Sequence, residues 1–390
     1  MRDVVILGST GSIGTQAIDV ALRHPDQLRV VALSAGGSQL DRLADQVALT
    51  NPARLALPTE QAAADLQAIL AERLISAPQI LTGPTASADL ARLGCDVVLN
   101  AITGYAGLES TLAALEAGSR LALANKESLV VGGKLVTDLA QPGQIVPVDS
   151  EHSALAQALR SGQAQEVSRL ILTASGGPFR GRTRAELAAV RVEDALAHPT
   201  WAMGRVITIN SATLINKGLE LIEAGLLFNV DWDAISVVVH PQSIVHSMVE
   251  FCDGSTIAQC SPPDMRLPIA LGLSWPDRLG DVTKPCDWTT ATSWTFEPLA
   301  HATGPAVELA RRVGRLGGTV PVVFNAANEV CVDAFCAGEI GFLGIVDTVR
   351  EVVDAHIAQA NPRPPFDLAA IRAADAWART AAHNTIGGER

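Results

Sequence analysis

Two stretches of this chain carry side chains that suit chemistry better than packing. In residues 211–220, SATLINKGLE, a helix opened by Ser211 would set Asn216, Lys217 and Glu220 on one face, because steps of one and four residues fall close together at 3.6 residues per turn. An amide, a cation and a carboxylate on one stripe do not form a core pattern. In Val148-Asp149-Ser150-Glu151 the two acids stand two apart, and an extended backbone would point them the same way. Asp149, Glu151 and Glu220 can therefore converge on one hard divalent cation, with Ser211, Asn216 and Lys217 beside it to hold an anionic group.

The amino-terminal part supplies a nucleotide frame for such a site. Residues 3–8, DVVILG, form a β-branched run that leads directly into Ser9-Thr10-Gly11-Ser12-Ile13-Gly14 and then a helix-compatible segment to Arg23. Strand, glycine turn and helix are what a dinucleotide loop requires, since glycine lets the backbone approach a pyrophosphate and the helix N-terminus favours it. A structural βα turn is the competing interpretation of a GxxGxxG run. A second strand at 29–34 ends in Ala35-Gly36-Gly37-Ser38 with no acid for the ribose hydroxyls, which tilts the choice toward NADPH. Arg42 is the nearest basic candidate, or else a solvated helix residue.

Further strands are expected at 55–57, 96–99, 120–124 and 145–148, separated by Ala- and Leu-rich helical spans, the pattern of a mostly parallel sheet. Asn100 to Gly104 and Asn125-Lys126-Glu127-Ser128 would lie at its binding edge. Beyond residue 150 the pattern changes. A strand at 170–174 runs into Ser175-Gly176-Gly177, where a hydroxyl and free amides can cradle an anion, or which simply ends the strand in a turn. His198-Pro199-Thr200-Trp201-Ala202-Met203-Gly204 suits a cover loop or a packing loop. Residues 235–239, 244–251 and 256–260, with Asp253-Gly254 at a turn, suit hairpin elements of a second sheet. His240 and His246 fit hydrogen-bonded structural roles, because the carboxylates already make a hard site.

The sequence predicts an α/β protein with a Rossmann-like nucleotide domain at 1–149, an α+β catalytic domain with a second sheet at 150–283, a linker at 284–303 and a helical bundle at 304–390. A formal charge of -12 argues against nucleic-acid binding, which rests on clustered Lys and Arg. No apolar run long enough for a membrane span occurs, and the six cysteines lack metal-ligand spacing. A soluble, cytoplasmic protein with reduced thiols is the expectation.

Taken together, GSTGSIG, LANKES, VDSEH, SGGPF, HPTWAMG, SATLINKGLE, HPQSIVHSMVEF and DMRLPIA, in this order over residues 8–270, closely resemble the 1-deoxy-D-xylulose 5-phosphate reductoisomerase family. Asn325-Ala326-Ala327-Asn328-Glu329 extends the resemblance into the helical tail. It implies an enzyme of non-mevalonate isoprenoid synthesis that rearranges a ketose phosphate, through carbon–carbon cleavage and re-formation, and reduces the resulting aldehyde with NADPH and Mg²⁺, Mn²⁺ or Co²⁺. It further implies metal ligands Asp149, Glu151 and Glu220, phosphate contacts Ser175, Ser211, Asn216 and Lys217, and substrate contacts Lys126, Ser150 and His198. Trp201 and Met203 would belong to a flap over the substrate. Coenzyme contacts would be Thr10, Gly11, Ser12, Ile13, Gly36, Gly37, Ser38, Asn125, Glu127 and Gly204, with Met265 near the nicotinamide. Homodimers are typical of such enzymes.

Three positions depart from the family pattern: Gly37 replaces a frequent Lys, Thr200 a frequent Asn and Asn210 a frequent Asp. The first removes one positive contact to the coenzyme's 2′-phosphate, which leaves coenzyme selectivity either weaker or supplied by Ser38 or Arg42. Two rival functions share parts of this inventory: another metal-using dehydrogenase, and a non-catalytic nucleotide sensor. The phosphate cradle argues against the first and the intact acids against the second.

Overall fold

The computed structural model describes residues 1–197, 204–299, 305–359 and 366–388. The chain forms two compact units. The first comprises Met1–Ser128, Asp138–Ser153 and Asp264–Lys284; the second comprises Leu129–Thr137, Ala154–Pro263 and Pro285–Arg390.

Unit 1 is built on seven parallel strands: β1 (Arg2–Leu7), β2 (Leu28–Ser34), β3 (Arg54–Leu57), β4 (Gln79–Thr82), β5 (Val97–Asn100), β6 (Arg120–Leu123) and β7 (Ile145–Pro147). Their order is β4-β3-β2-β1-β5-β6-β7. The central strands are apolar on both faces because helices cover both, so Ile6, which pairs with Leu33 and Leu99, is fully buried. The order reverses between β1 and β5, and a sheet of this kind opens a ligand crevice beyond the carboxyl ends of those strands. β4 was absent from the sequence-based expectation; its four half-exposed residues QILT form an edge strand with little hydrophobic signal.

The helix Arg266–Ser274 belongs to unit 1, not to the second domain in which its sequence position had placed it. Ile269, Ala270 and Leu273 join the core formed by Val4, Ile6, Leu99 and Ala122. Arg2 and Arg120 fasten the end of this segment by donating to the Trp275 carbonyl, at 2.9 and 2.6 Å.

Unit 2 carries the second sheet, in the order β11-β10-β8-β9-β12. Its strands are β8 (Val167–Ala174), β9 (Ile235–Val239), β10 (Val245–Phe251), β11 (Thr256–Cys260) and β12 (Glu297–Pro298), with only β8 and β9 parallel. The expected hairpin is β10–β11, turned by Asp253 and Gly254, whose φ of +88° suits glycine. The segment expected to be a plain linker contributes β12. Its pairing is reinforced by buried His240, whose Nδ1 donates to the Thr295 carbonyl at 2.9 Å while Nε2 accepts from the Ile244 and Val245 amides. His240 is therefore structural. His246 Nε2 likewise donates to the Ser261 carbonyl, at 3.1 Å.

The helices Pro305–Leu316, Val320–Cys336, Phe342–Gln359 and Leu368–Gly388 lie in the stretch 304–390 where a helical bundle was expected, and they cluster with the second sheet instead of standing as a third domain. Phe179, from the glycine loop after β8, packs edge-on against Phe342 at 4.9 Å and ties that loop to the bundle.

Candidate active site

In unit 1 the end of β1 and the helix Ser12–Arg23 are joined by the glycine loop. Gly8 has φ +78°, and a Cβ there would lie 2.6 Å from the Ala101 carbonyl oxygen. Only glycine lets the β1 and β5 strand ends come this close. The Gly8 and Ser9 amides donate to the Ser34 carbonyl at 2.9 and 2.8 Å, which holds the loop over the β1/β2 edge. Gly11 precedes a helix whose first turn has no acidic side chain, so its free N–H groups suit a pyrophosphate. Ile13 and Met265 both pack, partly buried, on the unit 1 core, and Gly36, Gly37 and Ser38 follow the end of β2.

Asn100 and Asn125 shape the neighbouring strand ends. Asn100 Nδ2 donates to the Gly107 carbonyl and to Thr111, both at 2.9 Å. Asn125 donates to the Ile102 and Gly104 carbonyls and accepts from the Ser128 amide at 2.8 Å, capping the helix Lys126–Thr137. Its side chain thus secures the loop that follows β5. Glu127 lies in the first turn of that helix.

Asp149 and Glu151 do not lie in the extended segment expected from their spacing. Asp149 ends the β7 turn and caps the helix Ser150–Ala158, accepting from the Glu151 amide at 3.2 Å, while its carbonyl accepts from the Ser153 amide at 2.8 Å. An acid ahead of a helix start satisfies orphan amides better than an extended chain would. Lys126 Nζ stands 2.5 Å from Asp149 Oδ2, and His152 Nδ1 donates to Oδ1 at 2.9 Å. Burial alone pushes the Asp149 carboxyl up, but the Lys126 ammonium and His152 outweigh it and hold it well below the usual carboxylate range. Ser150 donates to Glu151.

In unit 2 Ser211 lies in the last turn of the helix Arg205–Ala212 instead of opening the next one. The chain then turns through Leu214, φ +62°, into the helix Ile215–Phe228. Thr213 Oγ1 manages the break by accepting from the Ile215 amide at 3.3 Å. Asn216 and Lys217 both contact Glu220, and Lys217 and Glu220 are almost fully buried. The predicted polar stripe therefore exists, although its helix starts four residues later than expected. A Cβ at Gly177 would lie 3.1 Å from the Ser211 carbonyl oxygen, so the Ser175 loop adjoins Ser211. The Gly177 amide donates to Ser175 Oγ at 3.2 Å. Behind Ser211, buried Asn328 donates to Asn210 Oδ1 at 3.0 Å.

Gly204 precedes the helix Arg205–Ala212, whereas His198, Trp201 and Met203 lie outside the described residues. His152 and Glu223 were missed by sequence reasoning. The first follows the acidic pair directly, and the second lies three residues beyond Glu220 and is fully buried. The i+3 spacing was the signal available for Glu223.

Family models match almost the whole length of the chain. The 1-deoxy-D-xylulose 5-phosphate reductoisomerase model covers residues 4–133, its C-terminal domain model 145–228, and a further DXP reductoisomerase C-terminal domain model 260–381. The 1-deoxy-D-xylulose 5-phosphate reductoisomerase of Cutibacterium acnes is 62% identical, over 97% of each chain. That of Kitasatospora griseola is 59% identical, over 99% of this chain and 100% of its own. The Zymomonas mobilis enzyme, solved in complex with NADPH, superposes with a TM-score of 0.90 at 41% identity over 99% of each chain. A DOX-P reductoisomerase in complex with NADPH, fosmidomycin and magnesium gives 0.92 at 36% identity, over 99% of this chain and 98% of that one. Since these matches take in the glycine loop, the acidic turn and the Ser211–Glu220 helices alike, the chain belongs to the 1-deoxy-D-xylulose 5-phosphate reductoisomerase family.

Proposed function

We propose that this chain converts 1-deoxy-D-xylulose 5-phosphate to 2-C-methyl-D-erythritol 4-phosphate, with NADPH and a divalent cation, as a step of non-mevalonate isoprenoid synthesis. The carrying observation is the end-to-end family match at 62% identity. When bound, the cation supplies Lewis acidity at the substrate's carbonyl and adjacent hydroxyl oxygens, and the coenzyme supplies hydride.

The carboxylates of Asp149, Glu151 and Glu220 would hold the cation. The charge state of Asp149 supports this, because Lys126 and His152 keep a buried carboxyl ionised, as a ligand to a hard cation must be. Ser175, Ser211, Asn216 and Lys217 would hold the phosphate. Their support is the packing of the Ser175 loop against Ser211 and the buried Lys217 in the first turn of the following helix. A phosphate held away from the reacting carbons fixes the register of the substrate and contributes remote binding energy. Lys126, Ser150 and His198 would contact the substrate's hydroxyls, and the Trp201–Met203 segment would exclude water.

For the coenzyme, the support is a glycine loop packed tightly on the β1 and β5 strand ends and an acid-free helix start that would receive the phosphates. Thr10, Gly11, Ser12, Ile13, Gly36, Gly37, Ser38, Asn125, Glu127, Gly204 and Met265 would line it. We place the enzyme in the cytoplasm as a homodimer without membrane or nucleic-acid partners; its six free cysteines and charge of -12 support the compartment and the absence of a polyanion. No helix among the described residues is long and apolar enough to cross a membrane. Light scattering should give the mass of two chains, and a single-chain mass would contradict the dimer. The reaction itself is tested by product analysis. Incubation with the ketose phosphate, NADPH and Mg²⁺ should yield a branched tetrol phosphate, one per NADPH oxidised; a straight-chain reduction product would replace this function with that of another dehydrogenase.

A further inference from the structure

We propose that Arg42 recognises the 2′-phosphate of NADPH in this chain, in place of a cation at position 37; the proposal rests on the NADPH function above. Position 37 itself supplies no side chain. Gly37 has φ +86°, where L-residues are strained, and a Cβ there would stand 3.2 Å from the Ala62 Cβ. The strand end carries no substitute either, since Ser34 Oγ is hydrogen-bonded to Ser87 Oγ at 2.6 Å.

The next helix, Leu40–Thr50, offers one. Arg42 and Gln46 lie one turn apart on the same face, and both reach the glycine loop. Gln46, buried, donates to the Ser9 carbonyl at 2.8 Å, and Arg42 donates through one Nη to the Thr10 carbonyl at 3.0 Å. That single bond fixes the guanidinium beside the loop and leaves its other N–H groups for an anion. Arg42 is exposed, and among the described residues it has no carboxylate partner. Its acidic neighbours Asp41 and Asp45 are both engaged by Arg73, at 2.5 and 2.8 Å. An unpaired guanidinium in the first turn of a helix, beside a ribose-binding edge without an acid, matches a phosphate and not a pair of hydroxyls.

Calorimetric titration of the full-length protein with 2′,5′-ADP and with 5′-AMP isolates this contact from turnover. Wild type should bind 2′,5′-ADP roughly 10-fold or more tightly than 5′-AMP, the scale of a charge-assisted pair. Raising the salt concentration should shrink that ratio. Arg42→Gln keeps a donor for the Thr10 carbonyl but no charge, so it should bind 5′-AMP as wild type does and lose the preference. Arg42→Lys should keep part of it. Equal binding of the two fragments by wild type, or an undiminished ratio in Arg42→Gln, overturns the assignment even where wild type turns over with NADPH. A wild type that neither binds NADPH nor turns over would overturn the proposed function instead.

Discussion

The side chains that matter most at this site are charges kept out of water. Glu220 is buried against Lys217 and Asn216, and Asp149 against Lys126 and His152, whose charges outweigh burial and hold the Asp149 carboxyl well below the usual carboxylate range. Glu220→Gln preserves shape and removes the charge of a proposed metal ligand. It should lower kcat by at least ~100-fold, beyond the usual effect of losing an outer partner of a metal site, and weaken Mg²⁺ activation. Wild-type turnover in this variant would sink the ligand assignment. Lys217→Ala should raise KM for the ketose phosphate by ~10-fold or more with NADPH affinity unchanged; a change confined to NADPH binding would move Lys217 out of the phosphate site. These residues were legible because their types sit badly in a core pattern. Asp149 as a helix cap was not legible, since spacing of two fits both an extended strand and the entry to a helix.

Among the elements, periodicity located six of the seven parallel strands of unit 1 to within a few residues and the helical character of the carboxy-terminal part, because each buries a continuous apolar face. The failures occurred where backbone chemistry decides. Leu214 takes a left-handed conformation that the sequence does not announce, and it moves Ser211 from the start of one helix to the end of another. β4 and β12 lie on sheet edges and contain four and two residues, too few for a pattern. The Asn210–Asn328 pair likewise links residues distant in sequence and gives no local signal. Asn328→Ala should destabilise the protein by about 1–3 kcal/mol, because Asn210 Oδ1 is left buried without this donor. Chemical denaturation measures it, and an unchanged midpoint would mean the pair contributes nothing.

For the whole molecule, no local pattern announces that residues 264–284 return to the first unit, since that depends on which core the helix Arg266–Ser274 meets. The thiols report on burial independently of activity. Cys331 is buried within the bundle helix Val320–Cys336, where burial pushes its thiol up to about 12, whereas Cys252 is exposed just after β10. Mass-spectrometric mapping after brief alkylation at neutral pH should find Cys252 labelled and Cys331 untouched until denaturant is added; early labelling of Cys331 would contradict the packing of unit 2.

Activity is the most direct test of the central claim. NADPH oxidation by the purified, metal-stripped protein is followed with 1-deoxy-D-xylulose 5-phosphate, before and after Mg²⁺ or Mn²⁺ is restored. The predicted result is negligible oxidation without metal, rapid oxidation with it, and none when substrate is omitted. A folded, metal-loaded protein that binds NADPH yet leaves it unoxidised in the presence of this substrate would contradict the account.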